Sequence, residues 1–188
     1  AGPLEGSVGA GTGATVAKLA GPAAAVKGGV GSAGRRMGDG SLVAALAVTN
    51  AVGSVVGRDG TVLAAPRASA EAASPEPAAP EAAAPGAAAP SPFENTTLAV
   101  IGTDASLDRA QCRRLAELGH DALARSILPV HTMYDGDAVF VLATGTGAPL
   151  AIDAFVGLGI AAVDVLSEAI ERSVLLADFR GGVPSAPG

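Results

Sequence analysis

Phe93-Glu94-Asn95-Thr96-Thr97-Leu98-Ala99-Val100-Ile101-Gly102-Thr103-Asp104 is the stretch on which the reading of this chain turns. It follows a run of Ala, Pro, Glu and Ser from Pro66 to Pro92 that cannot pack a core, because recurrent prolines break any regular helix and the rest is small or polar. At Thr96 the pattern changes abruptly to an apolar strand, so a new structural unit opens there. Two readings of Thr96 and Thr97 stand side by side. Thr is a common strand former, and both could serve only that end. Alternatively, a hydroxyl residue heading a core strand behind a dispensable spacer suits a self-processing hydrolase. Cleavage before Thr96 would leave one residue holding a nucleophilic Oγ and a free α-amine to act as its base. Such an amine titrates near pH ~8 in model compounds, close enough to neutrality for that task.

Outward from this stretch, Leu98–Asp104 reads as a strand and Asp108–Ile127 as an amphipathic helix. The helix carries Ala110, Leu115, Leu118, Ala122, Leu123 and Ile127 on one face, with Ser106 as its expected N-cap. His120 falls near the inner edge and is expected to be a satisfied core histidine. Pro129 stops the helix. Val130–Asp137 is a loop, in which Asp135-Gly136-Asp137 resembles a fragment of a calcium loop without the remaining ligands and otherwise reads as a turn. Ala138–Ala143 is a strand, and Ala151–Leu176 a long helix with an apolar stripe. Upstream, Ser41–Asn50 reads as a strand buried on both faces. Ser54–Ala65 reads as a hairpin about Asp59-Gly60. Gly6–Gly13 is a glycine-rich loop leading into an expected helix at Ala14–Ala20. It lacks the Gly-Lys-Ser/Thr of a phosphate loop and no strand precedes it, so a nucleotide-binding module is the weaker alternative. Tight backbone packing explains the glycines equally well.

Composition narrows the field. The chain has 188 residues and a formal net charge of −6, with no basic patch, which argues against a nucleic-acid surface. Its single cysteine, Cys112, cannot form an internal disulfide, and with only His120 and His131 beside it there is no zinc spacing. No apolar run reaches the ~18 residues of a membrane span. Aromatic residues make up only 3%, so Val, Leu, Ile and Ala must build the core.

The run from Asn95 to Gly145 resembles the β-subunit opening of the family of DmpA-type L-aminopeptidase/D-esterases, β-aminopeptidases and nylon-oligomer endo-hydrolases. Its Asn-Thr junction is most similar to the nylon-oligomer branch. GSVGAGTGATVAKLAG (6–21) and VKGGVGSAG (26–34) resemble the end of the same family's α-subunit. The resemblance implies an α+β fold, an αββα layered sandwich like that of N-terminal-nucleophile hydrolases, incomplete here at the N-terminus. It implies autocleavage at Asn95–Thr96, then amide hydrolysis through an acyl-enzyme on Thr96. Lys27 matches a lysine beside the nucleophile, Asn50 an oxyanion donor, and Asp135 and Asp137 two carboxylates at the nucleophile. The chemistry calls for no metal and no cofactor. The expected organisation is an α-subunit part at 1–65, a flexible linker at 66–94, a β-subunit part at 95–180 and a flexible tail at 181–188. Expected partners are a small peptide or amide substrate, the chain's own cleaved fragments and further copies in a homo-oligomer, with neither nucleic acid nor membrane. The expected location is cytoplasmic. The alternative is an inactive fragment or pseudoenzyme of the same family, since its N-terminal pocket wall and active-site tyrosine have no counterpart in this sequence.

Overall fold

The computed structural model describes residues 2–67 and 95–186, so all but Pro66 and Arg67 of the expected linker lie outside the described residues. The central sheet has the order β3-β4-β7-β9, made by Val30–Arg36, Leu42–Asn50, Thr96–Thr103 and Ala138–Ala143. The first three strands run antiparallel and β9 runs parallel to β7. That last pairing requires a crossover, which helix α1 (Arg109–Ser126) provides. Two smaller sheets flank it. One pairs β1 (Thr15–Val16) with β2 (Val26–Lys27). The other joins β5 (Ser54–Val56), β6 (Val62–Ala64) and β8 (Ile127–Leu128), so the hairpin at Asp59-Gly60 forms as expected.

Helix α2 (Ile152–Leu175) lies across β3 and β4, and α1 packs against α2 and β9, all on one face of the sheet. Alternation places Val43, Ala45, Ala47, Ala99 and Ile101 beneath the helices, where they meet Leu115, Leu123, Leu158, Val165, Leu166 and Ile170. The helix backbone comes very close to β3. A Cβ built on Gly31 would sit 1.9 Å from the Ala169 carbonyl oxygen, so only glycine fits there.

The second face of the sheet departs from expectation. β4 is not buried on both sides but alternates, with Val43, Ala45, Ala47 and Thr49 inward. On the opposite face the register aligns Leu46, Val100 and Phe140 in one row and Val48 and Leu98 in the next. Leu98, Val100, Phe140 and Leu142 are exposed there, and among the described residues no layer covers them. The described residues thus form one helical layer and one main sheet of the expected four-layer sandwich.

Three local expectations need correction. Thr15–Val16 is a strand, not part of a helix, because β-branched residues pair here with Val26 and Lys27 across a short antiparallel ladder. The N-cap of α1 is Asp108, not Ser106. The Asp108 side chain accepts from the Gln111 N–H, while the Gln111 side chain accepts from the Asp108 N–H, a complete capping box. Ser106 instead donates to the Gly147 carbonyl. In the tail expected to be flexible, residues up to Ala186 are described. Arg180 and Val183 form a bridge, and the Pro184 carbonyl accepts the Lys27 N–H. No helix among the described residues is long and apolar enough to cross a membrane.

Candidate active site

Strand alternation puts Thr96 and Asn50 on the uncovered face, at its end. They are direct partners in the β4–β7 register, and Leu98 and Val48 follow them on the same side. Thr97 points the other way, fully buried opposite Thr49, which shares a hydrogen bond with Ser173 of α2. The nucleophile candidate therefore stands on a strand whose back is locked into the core.

The peptide bond before Thr96 is held from several sides. Thr96 Oγ1 donates to the Asn95 carbonyl oxygen at 2.7 Å. The same oxygen accepts the Gly136 N–H at 2.8 Å, and Asn95 forms an isolated parallel bridge with Asp135. Asn95 is itself buried. The carbonyl oxygen thus accepts both the Thr96 hydroxyl and a backbone N–H, which together polarise it. Gly136 must be glycine for this approach, since a Cβ there would lie 2.9 Å from Thr96 Oγ1. The family resemblance points to the two aspartates of Asp-Gly-Asp and not to the glycine between them.

The two aspartates do different work. Asp137 Oδ1 accepts the Thr97 N–H at 2.8 Å, and its Oδ2 lies 2.8 Å from His131 Nδ1. Asp135 ties the loop together: Oδ2 accepts from the Thr132 N–H and hydroxyl, and Oδ1 from the Val52 N–H. Asp137 is therefore attached to the strand that Thr96 heads, and Asp135 to the loop that delivers Gly136.

Asn50 is oriented by its surroundings. Its Oδ1 accepts the Thr15 N–H at 3.1 Å and the Lys18 ammonium at 2.9 Å. Both partners are donors only, so the carbonyl end of the amide faces them and the NH2 end faces elsewhere. Lys18 was missed in the sequence, where it sat in a supposed helix. It is buried, with 8% of its surface exposed, and it follows Ala17, whose φ of 59° is rare for a residue with a Cβ. A left-handed alanine beside a buried cation is a local irregularity of the kind that gathers at functional sites.

Lys27 is still more buried, at 2% exposure, and its Nζ donates to the Thr12 carbonyl at 2.8 Å. Burial, with the Arg180 cation as a second cause, pulls its pKa below the ordinary lysine value. The glycine-rich loop thus receives a lysine at Thr12 and closes against the chain. Its Gly6 backbone, at φ 80°, meets the Val30 and Leu176 backbones directly. His120, expected to be a satisfied core residue, is half-buried on α1 with Nδ1 3.2 Å from His131 Nε2.

A strand-borne threonine beside a doubly hydrogen-bonded carbonyl, with an oriented amide across the sheet, stands at one end of the open face of a layered α+β fold. The match of Peptidase family S58 over residues 2–184 places this chain in that family. It is 40% identical over 196 residues to an uncharacterized aminopeptidase of Mycobacterium leprae, covering 97% of this chain and 52% of that protein. A 6-aminohexanoate-oligomer endohydrolase of Paenarthrobacter ureafaciens is 29% identical over 143 residues, covering 74% of this chain and 39% of the relative. Among solved structures, a Burkholderia sp. beta-aminopeptidase superposes with a TM-score of 0.66 at 25% identity, over 100% of this chain and 52% of its own. The L-aminopeptidase D-Ala-esterase/amidase of Ochrobactrum anthropi, described as a variant of the Ntn hydrolase fold, gives 0.67 at 21% identity, over 100% and 51%. The fold class is therefore the Ntn-hydrolase type expected. The chain spans about half the length of the relatives it matches.

Proposed function

We propose that this chain carries the nucleophile and its immediate surroundings in a self-processing amide hydrolase. In the first step Thr96 Oγ adds to the Asn95 carbonyl carbon. The C–N bond then breaks, leaving an ester on Thr96 Oγ and a free Thr96 α-amine. Water hydrolyses the ester, giving the Asn95 carboxylate and restoring the hydroxyl. In the second phase the same Oγ attacks the carbonyl carbon of an amide substrate while the α-amine takes its proton; the substrate C–N bond breaks, the amine leaves with that proton, and water hydrolyses the resulting ester to release the acid and restore the hydroxyl. The Gly136 N–H and the Asn50 NH2 are the donors for the two developing oxyanions, with Lys18 holding the Asn50 amide in that orientation. Lys27, on β2, adds a buried cation against the glycine-rich loop. Asp137 holds the strand at Thr97 so that the freed amine stays in register, and Asp135 fixes the loop bearing Gly136.

The observation that carries this reading is the Asn95 carbonyl, bonded at once by the Thr96 hydroxyl and the Gly136 N–H. A threonine that merely favoured a strand would need neither. The substrates are linear amides, the class shared by the aminopeptidase and aminohexanoate-oligomer relatives.

Intact mass and N-terminal sequencing of the purified chain test it beside Thr96→Ala. The expected outcome is two fragments from the unaltered chain, one beginning Thr-Thr-Leu-Ala-Val, and a single mass from the variant. Identical single masses, with or without added sequence upstream, would overturn the reading in favour of an inactive member of the family.

A further inference from the structure

Asp137 is the end of a chain of groups that runs to the surface of α1. The Thr97 N–H donates to Asp137 Oδ1 at 2.8 Å, Asp137 Oδ2 lies 2.8 Å from His131 Nδ1, and His131 Nε2 lies 3.2 Å from His120 Nδ1. The two rings stand 4.9 Å apart at 58°. An ionised carboxylate only accepts, so His131 Nδ1 carries the hydrogen of the second contact. His131 Nε2 is then either an acceptor from His120 Nδ1–H or, with one added proton, a donor to an unprotonated His120 Nδ1. The chain is complete with no charge or one charge on the imidazole pair. It breaks when two N–H groups face each other, with both rings protonated, or when neither facing nitrogen carries a hydrogen.

His131 reaches this position from a φ of 53°, in the left-handed region that non-glycine residues rarely occupy, although His and Asn do so more readily than most. Its ring is 40% exposed and the Asp137 carboxylate 4%. The loop therefore holds an unusual backbone conformation at the residue whose ring faces the carboxylate. From this geometry we infer that His131, backed by His120, is a positioning residue. It fixes the rotamer of Asp137, and through the Asp137–Thr97 bond it fixes the first residues of the nucleophile's strand. His131 touches neither Thr96 nor the reacting carbonyl and acts only through Asp137. The inference rests on the reading of Thr96 as nucleophile, but part of its test does not.

That part is spectroscopic. In 15N-labelled Thr96→Ala chain, the Thr97 amide is followed with and without His131→Asn. Asn accepts the left-handed backbone but is too short to take the place of the ring, so loss of the contact is separated from backbone strain. The expected result is a displaced Thr97 amide signal and roughly tenfold faster hydrogen exchange there, with the Ile101 amide on the same strand unmoved. An unmoved Thr97 amide would overturn the proposal whether or not the chain cuts itself. The second part is kinetic. His131→Asn is expected to slow cleavage at Asn95–Thr96 by about 10²-fold, the size of effect produced by small misplacements. His131→Gln, which retains an N–H donor, is expected to recover part of the loss, and His120→Gln to slow cleavage less than His131→Asn. Equal cleavage rates in all of these would reject the positioning role. Cleavage of Thr96→Ala at the wild-type rate would reject the nucleophile reading instead.

Discussion

At the scale of single residues, the site is built by pairing side chains whose hydrogen-bonding options are one-sided. Asn50 is the clearest case, because a main-chain N–H and an ammonium both claim its oxygen. Asn50→Asp keeps that acceptor and the shape but replaces the NH2 donor with a second acceptor. If the NH2 serves a developing oxyanion, Asn50→Asp should lower the rate of self-cleavage by about 10²–10³-fold. The melting temperature should stay within a few degrees of the parent, as measured by timed gel or mass analysis and by thermal denaturation. A loss of folding in parallel with activity would assign Asn50 to structure alone. The same one-sidedness explains what could be read beforehand. Thr96 stands out by its place at the head of a strand behind the spacer, whereas Asn95 and the two aspartates are singled out by the resemblance to the family. Neither holds for Lys18 or His131, since each depends on a left-handed residue, Ala17 and His131 itself, that no local pattern demands. Gly136 matters for the Cβ it lacks, and only the distance to Thr96 Oγ1 reveals it.

At the scale of elements, apolar patterning places β4, β7, β9, α1 and α2 to within a residue or two, although the unbroken apolar run of β4 hides that only one of its faces is buried. Patterning fails where length is short and tertiary contact decides. β1 and β2 are two residues each, and only their mutual pairing makes them strands. The ion pair between Glu5 and Arg172 also belongs to this level and is invisible in sequence, the two lying 167 positions apart. Glu5 accepts from the Ser32 N–H and hydroxyl and from the Arg172 guanidinium, which binds both carboxylate oxygens. It thereby pins the N-terminal segment to β3 and α2. The Arg172 hydrogen bond, as the largest cause, brings the Glu5 pKa down from 4.5 to about 2. A carboxyl whose folded value is depressed stabilises the fold above its unfolded value and loses that contribution as pH falls through its folded one. Glu5→Gln should therefore cost about 1–2 kcal/mol at neutral pH, a hydrogen-bonded charge discounted for the partly exposed arginine. The gap between parent and variant should narrow below pH 4.5 and close near pH 2 in denaturant titrations. A pH-independent gap would assign the effect to packing.

At the scale of the molecule, the sheet has one face in the core and one face open, and the candidate nucleophile lies on the open side. Thr96 and Asn50 continue the rows of Leu98, Val48, Val100 and Phe140. Any layer laid over those apolar residues would therefore also wall the space in front of Thr96. The open face has a physical consequence of its own. Phe140 and Leu142 are more than 60% exposed, and Leu98 and Val100 adjoin them across the register. Contiguous apolar surface of this kind drives association in water. Among the described residues β9 is also an edge strand of the sheet, the kind of position that offers backbone groups for pairing. The 188-residue chain alone should therefore form concentration-dependent oligomers and bind an apolar dye. Leu98→Lys with Phe140→Lys places two charges on the open face without touching the buried side of either strand. The double variant should scatter light as a monomer, lose most dye fluorescence and unfold within a few degrees of the parent. If it still associates as the parent does, the contact lies elsewhere, the exposed Ile152, Val156 and Ile160 of α2 being the next surface to alter. If it unfolds outright, the face is already covered in solution.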